Sequence, residues 1–187
     1  TAAAGDALYV SGTLGDAALG LMLAHEPGLA RGWQLEPDEV AYLGRRYQRP
    51  EPRLELRAAL IGHAGAAMDL SDGLAKDLGR MCRVSGVAAA VDVARLPLST
   101  AARKALAADP DLVRCAVAGG DDYEVLAAVP PDRADAYRAT AAAAGIAVVE
   151  IGTITAGTGV RLIAADGGEL VLARTGWDHF GPGQGTL

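Results

Sequence analysis

The 187-residue sequence predicts an α/β fold, a mixed β-sheet with helices packed on it. Three observations carry that expectation. Short apolar segments of strand character alternate with longer segments of helical period. Gly, Pro or a capping residue marks each change between them. Late in the chain, residues 160–164 and 169–173 flank Asp166-Gly167-Gly168, a hairpin signal.

Residues 7–10 favour a strand and run into the Gly-punctuated loop Ser11-Gly12-Thr13-Leu14-Gly15-Asp16. Asp16 is expected to cap a helix over 17–25, whose Leu19, Met22 and Leu23 share one face. Residues 27–32 read as a loop. Pro37 suits the first position of a helix carrying Val40, Leu43 and Tyr47, and Arg49-Pro50-Glu51-Pro52 must end it. Residues 54–62 read as a further helix.

The most ordered pattern follows. Residues 66–70 form a short apolar strand, Ser71-Asp72-Gly73 a turn and 74–84 a helix closed by Gly86, with a second strand over 87–93. Ser99 caps a helix reaching about residue 107. Gly119-Gly120-Asp121-Asp122 precedes a strand over 123–129, a helix covers 131–144 up to Gly145, and a strand covers 147–154. Residues 181–187 read as a flexible tail.

About half the residues are apolar, but only one is Phe and two are Trp, so the core is built from small aliphatic side chains. Seventeen basic against 23 acidic residues give a net charge of −6 without a basic stripe. Nucleic acid and anionic membrane surfaces are therefore not expected partners. Cys82 and Cys115 stand far apart without a CxxC motif or a Cys/His cluster, which favours reduced thiols and a cytoplasmic location. No apolar run reaches the roughly 18 residues that a membrane span needs.

Chemistry concentrates in two short runs. In Asp69-Leu70-Ser71-Asp72-Gly73, two carboxylates and a hydroxyl sit where a strand gives way to a helix. Such oxygen donors suit Mg²⁺, and a helix amino terminus offers N–H groups to phosphate. The alternative is that Ser71 or Asp72 caps the helix. In Gly119-Gly120-Asp121-Asp122-Tyr123-Glu124, consecutive acids require a cation or a donor to offset their repulsion, unless the run is a solvated surface turn. The Ser11–Asp16 loop lacks the Gly-Lys-Ser/Thr of a P-loop and reads foremost as a strand-to-helix turn. Trp177 can stack on a heteroaromatic ring or anchor the tail to the core. No covalent nucleophile motif is present, and His25, His63 and His179 have no sequence neighbours that suggest ligation.

In their order along the chain, residues 7–16, Tyr47-Gln48-Arg49-Pro50-Glu51-Pro52-Arg53, Met68-Asp69-Leu70-Ser71-Asp72-Gly73-Leu74, Gly119-Gly120-Asp121-Asp122-Tyr123-Glu124 and Gly176-Trp177-Asp178-His179-Phe180 form a more specific signature than any one alone. The set resembles thiamine-monophosphate kinases, members of the aminoimidazole-ribonucleotide-synthetase superfamily. That resemblance implies that residues 1–180 are the family's carboxy-terminal domain and that its amino-terminal metal-binding domain has no counterpart in these residues. It implies ATP- and Mg²⁺-dependent phosphorylation of thiamine monophosphate to thiamine diphosphate by in-line transfer, in a homodimeric full-length enzyme. It further implies that Asp69 and Asp72 bind metal, Ser71 contacts ATP, and Asp121 and Trp177 contact the substrate. Two other readings stay open: another ATP-dependent enzyme of the superfamily, and a catalytically silent substrate-binding fragment.

Overall fold

The computed structural model describes residues 1–173 and Gly176. Among these residues six strands form one sheet: β1 (Ala7–Ser11), β2 (Ala66–Asp69), β3 (Ala88–Asp92), β4 (Val125–Val129), β5 (Val148–Thr155) and β6 (Gly159–Ile163), in the order β2-β4-β1-β5-β3-β6. Neighbouring strands are antiparallel except β3 and β6, which run parallel. Eight α-helices accompany them: α1 (Asp16–His25), α2 (Leu29–Gly32), α3 (Pro37–Gln48), α4 (Arg57–His63), α5 (Leu74–Ser85), α6 (Thr100–Ala108), α7 (Val113–Ala118) and α8 (Ala134–Ala143). The mixed sheet with packed helices is thus the predicted class.

The two-residue period of the strands divides the core. Leu8, Val10, Leu126 and Ala128 face Leu74, Leu78 and Met81 of α5 together with Ala116 and Val117 of α7. Tyr9, Ala127 and Val129 point the other way, toward Ala59 of α4 and Tyr137 and Ala141 of α8. There the rings of Tyr9 and Tyr137 tilt at 54° with centroids 5.3 Å apart, a favoured aromatic geometry. A third cluster joins Leu19 and Leu23 of α1, Leu43 of α3, Ala101, Ala102 and Ala105 of α6, and Trp33. The many alanines let these helices approach closely, as the aliphatic composition implies.

Local signals explain most boundaries. Glu36 and Glu39 form a reciprocal capping box around Pro37, so α3 begins where proline is harmless. Ser99 Oγ accepts from Ala102 N at the start of α6, and Gly86 closes α5 in the left-handed conformation. Four expectations need correction. The 27–32 loop contains the one-turn helix α2. The α7 helix appears where none is expected, because its six residues carry no capping signal. The second hairpin arm reduces to a bridge between Ile163 and Glu169, with Leu170 N donating to Leu162 O at 2.8 Å beside it. Finally, Gly15, not Asp16, holds the cap position of α1 and provides no side-chain cap.

Candidate functional site

The two acidic motifs lie against each other. Leu70 N donates to Glu124 O at 2.8 Å, Tyr123 N to Leu70 O at 2.9 Å and Asp121 N to Ser71 O at 3.0 Å. These bonds extend the antiparallel pairing of β2 with β4 past the ends of both strands. Asp69 and Asp121 are exposed on this rim, Ser71 is half-buried, and Asp72 is buried.

The turn leading into α5 is held from below by Asp77. Its Oδ2 accepts from Ser71 N at 3.1 Å and Asp72 N at 2.9 Å, while Oδ1 meets Arg80 Nη1 at 2.8 Å. Gly73 holds the cap position of α5 and has no side chain to cap it. Burial pushes the Asp77 carboxyl above its usual range despite these donors. Asp72 Oδ2 pairs with Arg80 Nη2 at 2.6 Å and Lys76 Nζ at 3.3 Å. Burial works to raise the Asp72 carboxyl, but those two cations together hold it below the ordinary value. Lys76, Arg80 and Arg83 also line an open groove of about 500 Å³ with Leu162 and Leu170.

Behind the rim lies an ionic cluster that sequence reasoning missed. Glu124, fully buried, accepts from Ser11 Oγ at 2.6 Å, Arg46 Nη2 at 2.8 Å, Arg53 Nε at 2.7 Å and Arg53 Nη2 at 2.5 Å. Asp122 accepts from Gly15 N at 2.7 Å and Ala17 N at 3.1 Å, so it caps α1 from the far side of the chain. Burial drives the Asp122 carboxyl up to about 7, outweighing the two backbone donors. Asp16 accepts from Thr13 Oγ1, Tyr42 Oη and Ser99 Oγ at 2.5, 2.8 and 2.6 Å. Burial and the nearby Asp16 push the Tyr42 hydroxyl up to about 12. The Ser11–Asp16 loop therefore turns its polar groups inward, as a strand-to-helix turn. Gly12 is required there, with a φ of 56° and with Glu124 Oε1 only 2.1 Å from where a Cβ would stand. Arg46 and Arg53 around the Tyr47–Arg53 run, and Glu124 immediately before an apolar strand, were the available signal: a buried carboxylate demands cations.

Among the described residues, no three His, Cys, Asp or Glu side chains lie together so as to hold a metal ion. The donor set nevertheless fits a Mg²⁺ ion shared with bound phosphates, because Mg²⁺ usually takes only one or two carboxylates and completes its shell with water and phosphate oxygens. Asp69 offers an exposed carboxylate, and Asp72 offers one if Lys76 and Arg80 turn toward an anion instead. Trp177 lies outside the described residues. Its neighbour Gly176 packs against the same turn, where an added Cβ would come 2.3 Å from Asp72 O and 2.8 Å from Lys76 Cβ. His25 is exposed, and His63 Nε2 lies 3.1 Å from Thr140 Oγ1. Both thiols are free.

Residues 3–165 match the family model for AIR synthase related proteins, carboxy-terminal domain. The chain belongs to this family. Among relatives of this AIR synthase related domain, the thiamine-monophosphate kinase of Caulobacter vibrioides is 43% identical over 178 residues, which are 94% of this chain and 48% of the relative. The thiamine-monophosphate kinase of Escherichia coli K12 is 36% identical over 94% of this chain and 53% of its own. The chain thus spans about half the length of the curated relatives it matches. A crystal structure of the Stenotrophomonas maltophilia thiamine-monophosphate kinase superposes with a TM-score of 0.78 at 39% identity, covering 89% of this chain and 51% of that one. AaThiL complexed with AMPPCP and TMP superposes with a TM-score of 0.76 at 32% identity, covering 96% and 52%. No helix among the described residues is long and apolar enough to cross a membrane.

Proposed function

We propose that this chain supplies part of the active site of a kinase that transfers the γ-phosphoryl group of ATP to thiamine monophosphate. The observation that carries this reading is the backbone pairing of residues 70–71 with 121–124, which joins a hydroxyl and carboxylates on one rim, in a chain similar to a kinase solved with AMPPCP and TMP. In this reading an oxygen of the acceptor phosphate forms a bond to the γ-phosphorus as the bond from that phosphorus to the β–γ bridging oxygen breaks, releasing ADP. Asp69 and Asp72 hold Mg²⁺, which when bound offsets charge on the phosphates. Ser71 donates its hydroxyl hydrogen to a nucleotide phosphate oxygen. Lys76 and Arg80 move from Asp72 toward the incoming anion. Asp121 and Trp177 hold the acceptor, Asp121 by attraction to the thiazolium charge. No protein nucleophile is needed, because positioning and charge neutralisation carry such transfers.

The proposal treats residues 1–180 as one domain and assigns further metal ligands to the half of the relatives that this chain does not match. The cytoplasmic homodimer belongs to the same reading. The second reading is a catalytically silent substrate-binding fragment, which holds thiamine monophosphate but no nucleotide. One experiment separates the two. The chain is exchanged for the matching half of the Caulobacter vibrioides kinase, and thiamine diphosphate formation is assayed with ATP and Mg²⁺ beside the chain alone. Turnover by the chimera alone supports the kinase reading. A well-folded chimera that binds thiamine monophosphate without turnover supports the silent one.

A further inference from the structure

The segment from Asp121 to Glu124 alternates between anchoring and display. Asp122 and Glu124, 4% and 0% exposed, are tied inward to α1, Arg46 and Arg53. Asp121 and Tyr123 point outward from a strained backbone, with φ of 67° and 50°. A left-handed conformation is tolerable for Asp and unfavourable for a bulky aromatic residue. The anchors on either side over-determine it, and strain retained in this way clusters at ligand sites. Tyr9 and Tyr137 are buried, whereas among the described residues Tyr123 is the aromatic one of the large apolar side chains that stay exposed. Its backbone N–H is bonded to Leu70 O, which puts it beside the Asp69–Ser71 rim.

We propose that Tyr123 is a specificity-determining residue whose ring packs against the heteroaromatic part of the acceptor, not of the nucleotide. This rests on the function proposed above. The choice between the two ligands follows from charge. Asp121, two residues away, is the nearest exposed acid along the chain, and such an acid attracts a cationic thiazolium and repels a polyphosphate. A ring lying over Tyr adds stacking and cation–π attraction to that field.

The test uses the chimera with the Caulobacter vibrioides kinase and three substitutions, Tyr123→Phe, Tyr123→Leu and Tyr123→Gly. Leu and Gly remove the aromatic face, and Gly also releases the backbone strain, so its melting temperature reports folding independently. The expected result is a KM for thiamine monophosphate raised about ten- to a hundredfold by Leu and Gly and about threefold or less by Phe. The KM for ATP and kcat should stay near the parent values. Unchanged KM in the folded Leu and Gly variants overturns the proposal, as does an equal loss toward ATP and acceptor. If the parent chimera itself binds no thiamine monophosphate by calorimetry, the functional reading fails and this inference with it. If the parent binds and every variant binds equally well, only the assignment of Tyr123 fails.

Discussion

Arg53 grips Glu124 with both Nε and Nη2, at 2.7 and 2.5 Å from its two carboxylate oxygens. The Glu124 side chain is wholly buried, and that of Arg46, its other cation, is 6% exposed. Desolvated charges of this kind depend on one another, because neither can turn to water when its partner is lost. Glu124→Gln should therefore lower unfolding stability by about 3–5 kcal/mol. Arg53→Lys keeps the charge but loses the two-pronged contact and should cost about 1 kcal/mol. Urea denaturation of the parent and both variants measures the difference. Equal midpoints for parent and Glu124→Gln would sink this account of the cluster.

Gly12 is where the same cluster meets the backbone. An added methyl group strikes Glu124 Oε1 and must also adopt a φ of 56°. Gly12→Ala should destabilise by more than about 1 kcal/mol, beyond the gain that a less flexible unfolded chain provides. Thermal melts followed by circular dichroism check this. A variant as stable as the parent would mean that the Glu124 carboxylate is free to move.

Asp122 makes stability depend on pH with a definite sign. Its carboxyl is pushed up to about 7 in the folded chain from an ordinary value of 3.8. The folded state therefore holds the proton more tightly than the unfolded state. That contribution is complete below about pH 4 and is lost as pH rises through about 7. Asp122→Asn cannot ionise and escapes the loss. The melting temperature of Asp122→Asn relative to the parent should thus be higher at about pH 8 than at about pH 5. Asp72, held below its ordinary range, acts in the opposite direction in both proteins and cancels in the comparison. A difference that is flat with pH would show Asp122 ionised throughout.

Asp72 belongs to the proposed chemistry more than to the core, since Lys76 and Arg80 keep 21% and 41% of their side chains exposed. Asp72→Asn loses both pairs, each worth about 1 kcal/mol or less where the cation stays this exposed. In the chimera with the Caulobacter vibrioides kinase, Asp72→Asn should lower turnover by about a hundredfold or more and raise the Mg²⁺ concentration needed for half-maximal rate. Its melting point should barely move. Full turnover at limiting Mg²⁺ would remove Asp72 from the metal site.

The strands, the long helices and the acid-rich runs were legible because each has a local cause: alternating apolar residues, Pro37 at a helix start, Ser99 as a cap, Gly86 and Gly145 as stops. What stayed hidden is non-local. Nothing within residues 113–118 announces α7, which forms because Ala116 and Val117 fill space under the sheet. Asp16 has the chemistry of a cap, but the hydroxyl groups of Thr13 in its own loop and of Tyr42 and Ser99 in other segments claim its carboxylate. The demand of the paired acids for a cation or a donor was readable in Asp121-Asp122. Which groups answer Asp122 was not, because Gly15 N and Ala17 N reach it only through the fold, as Arg46 and Arg53 reach Glu124.

The cap that Asp122 places on α1 ties residues 107 positions apart in the sequence. A helix capped by its own neighbour can complete its first turn as soon as it nucleates. Here the first turn waits for the β1–β4 pairing to bring Asp122 within reach, and closing so long a loop is slow and entropically costly. The beginning of α1 is therefore among the last parts of this chain to settle and among the first to open. A nascent chain emerging from the ribosome carries α1 unfinished until more than a hundred further residues have been made, which leaves its apolar face exposed to chaperones during that interval.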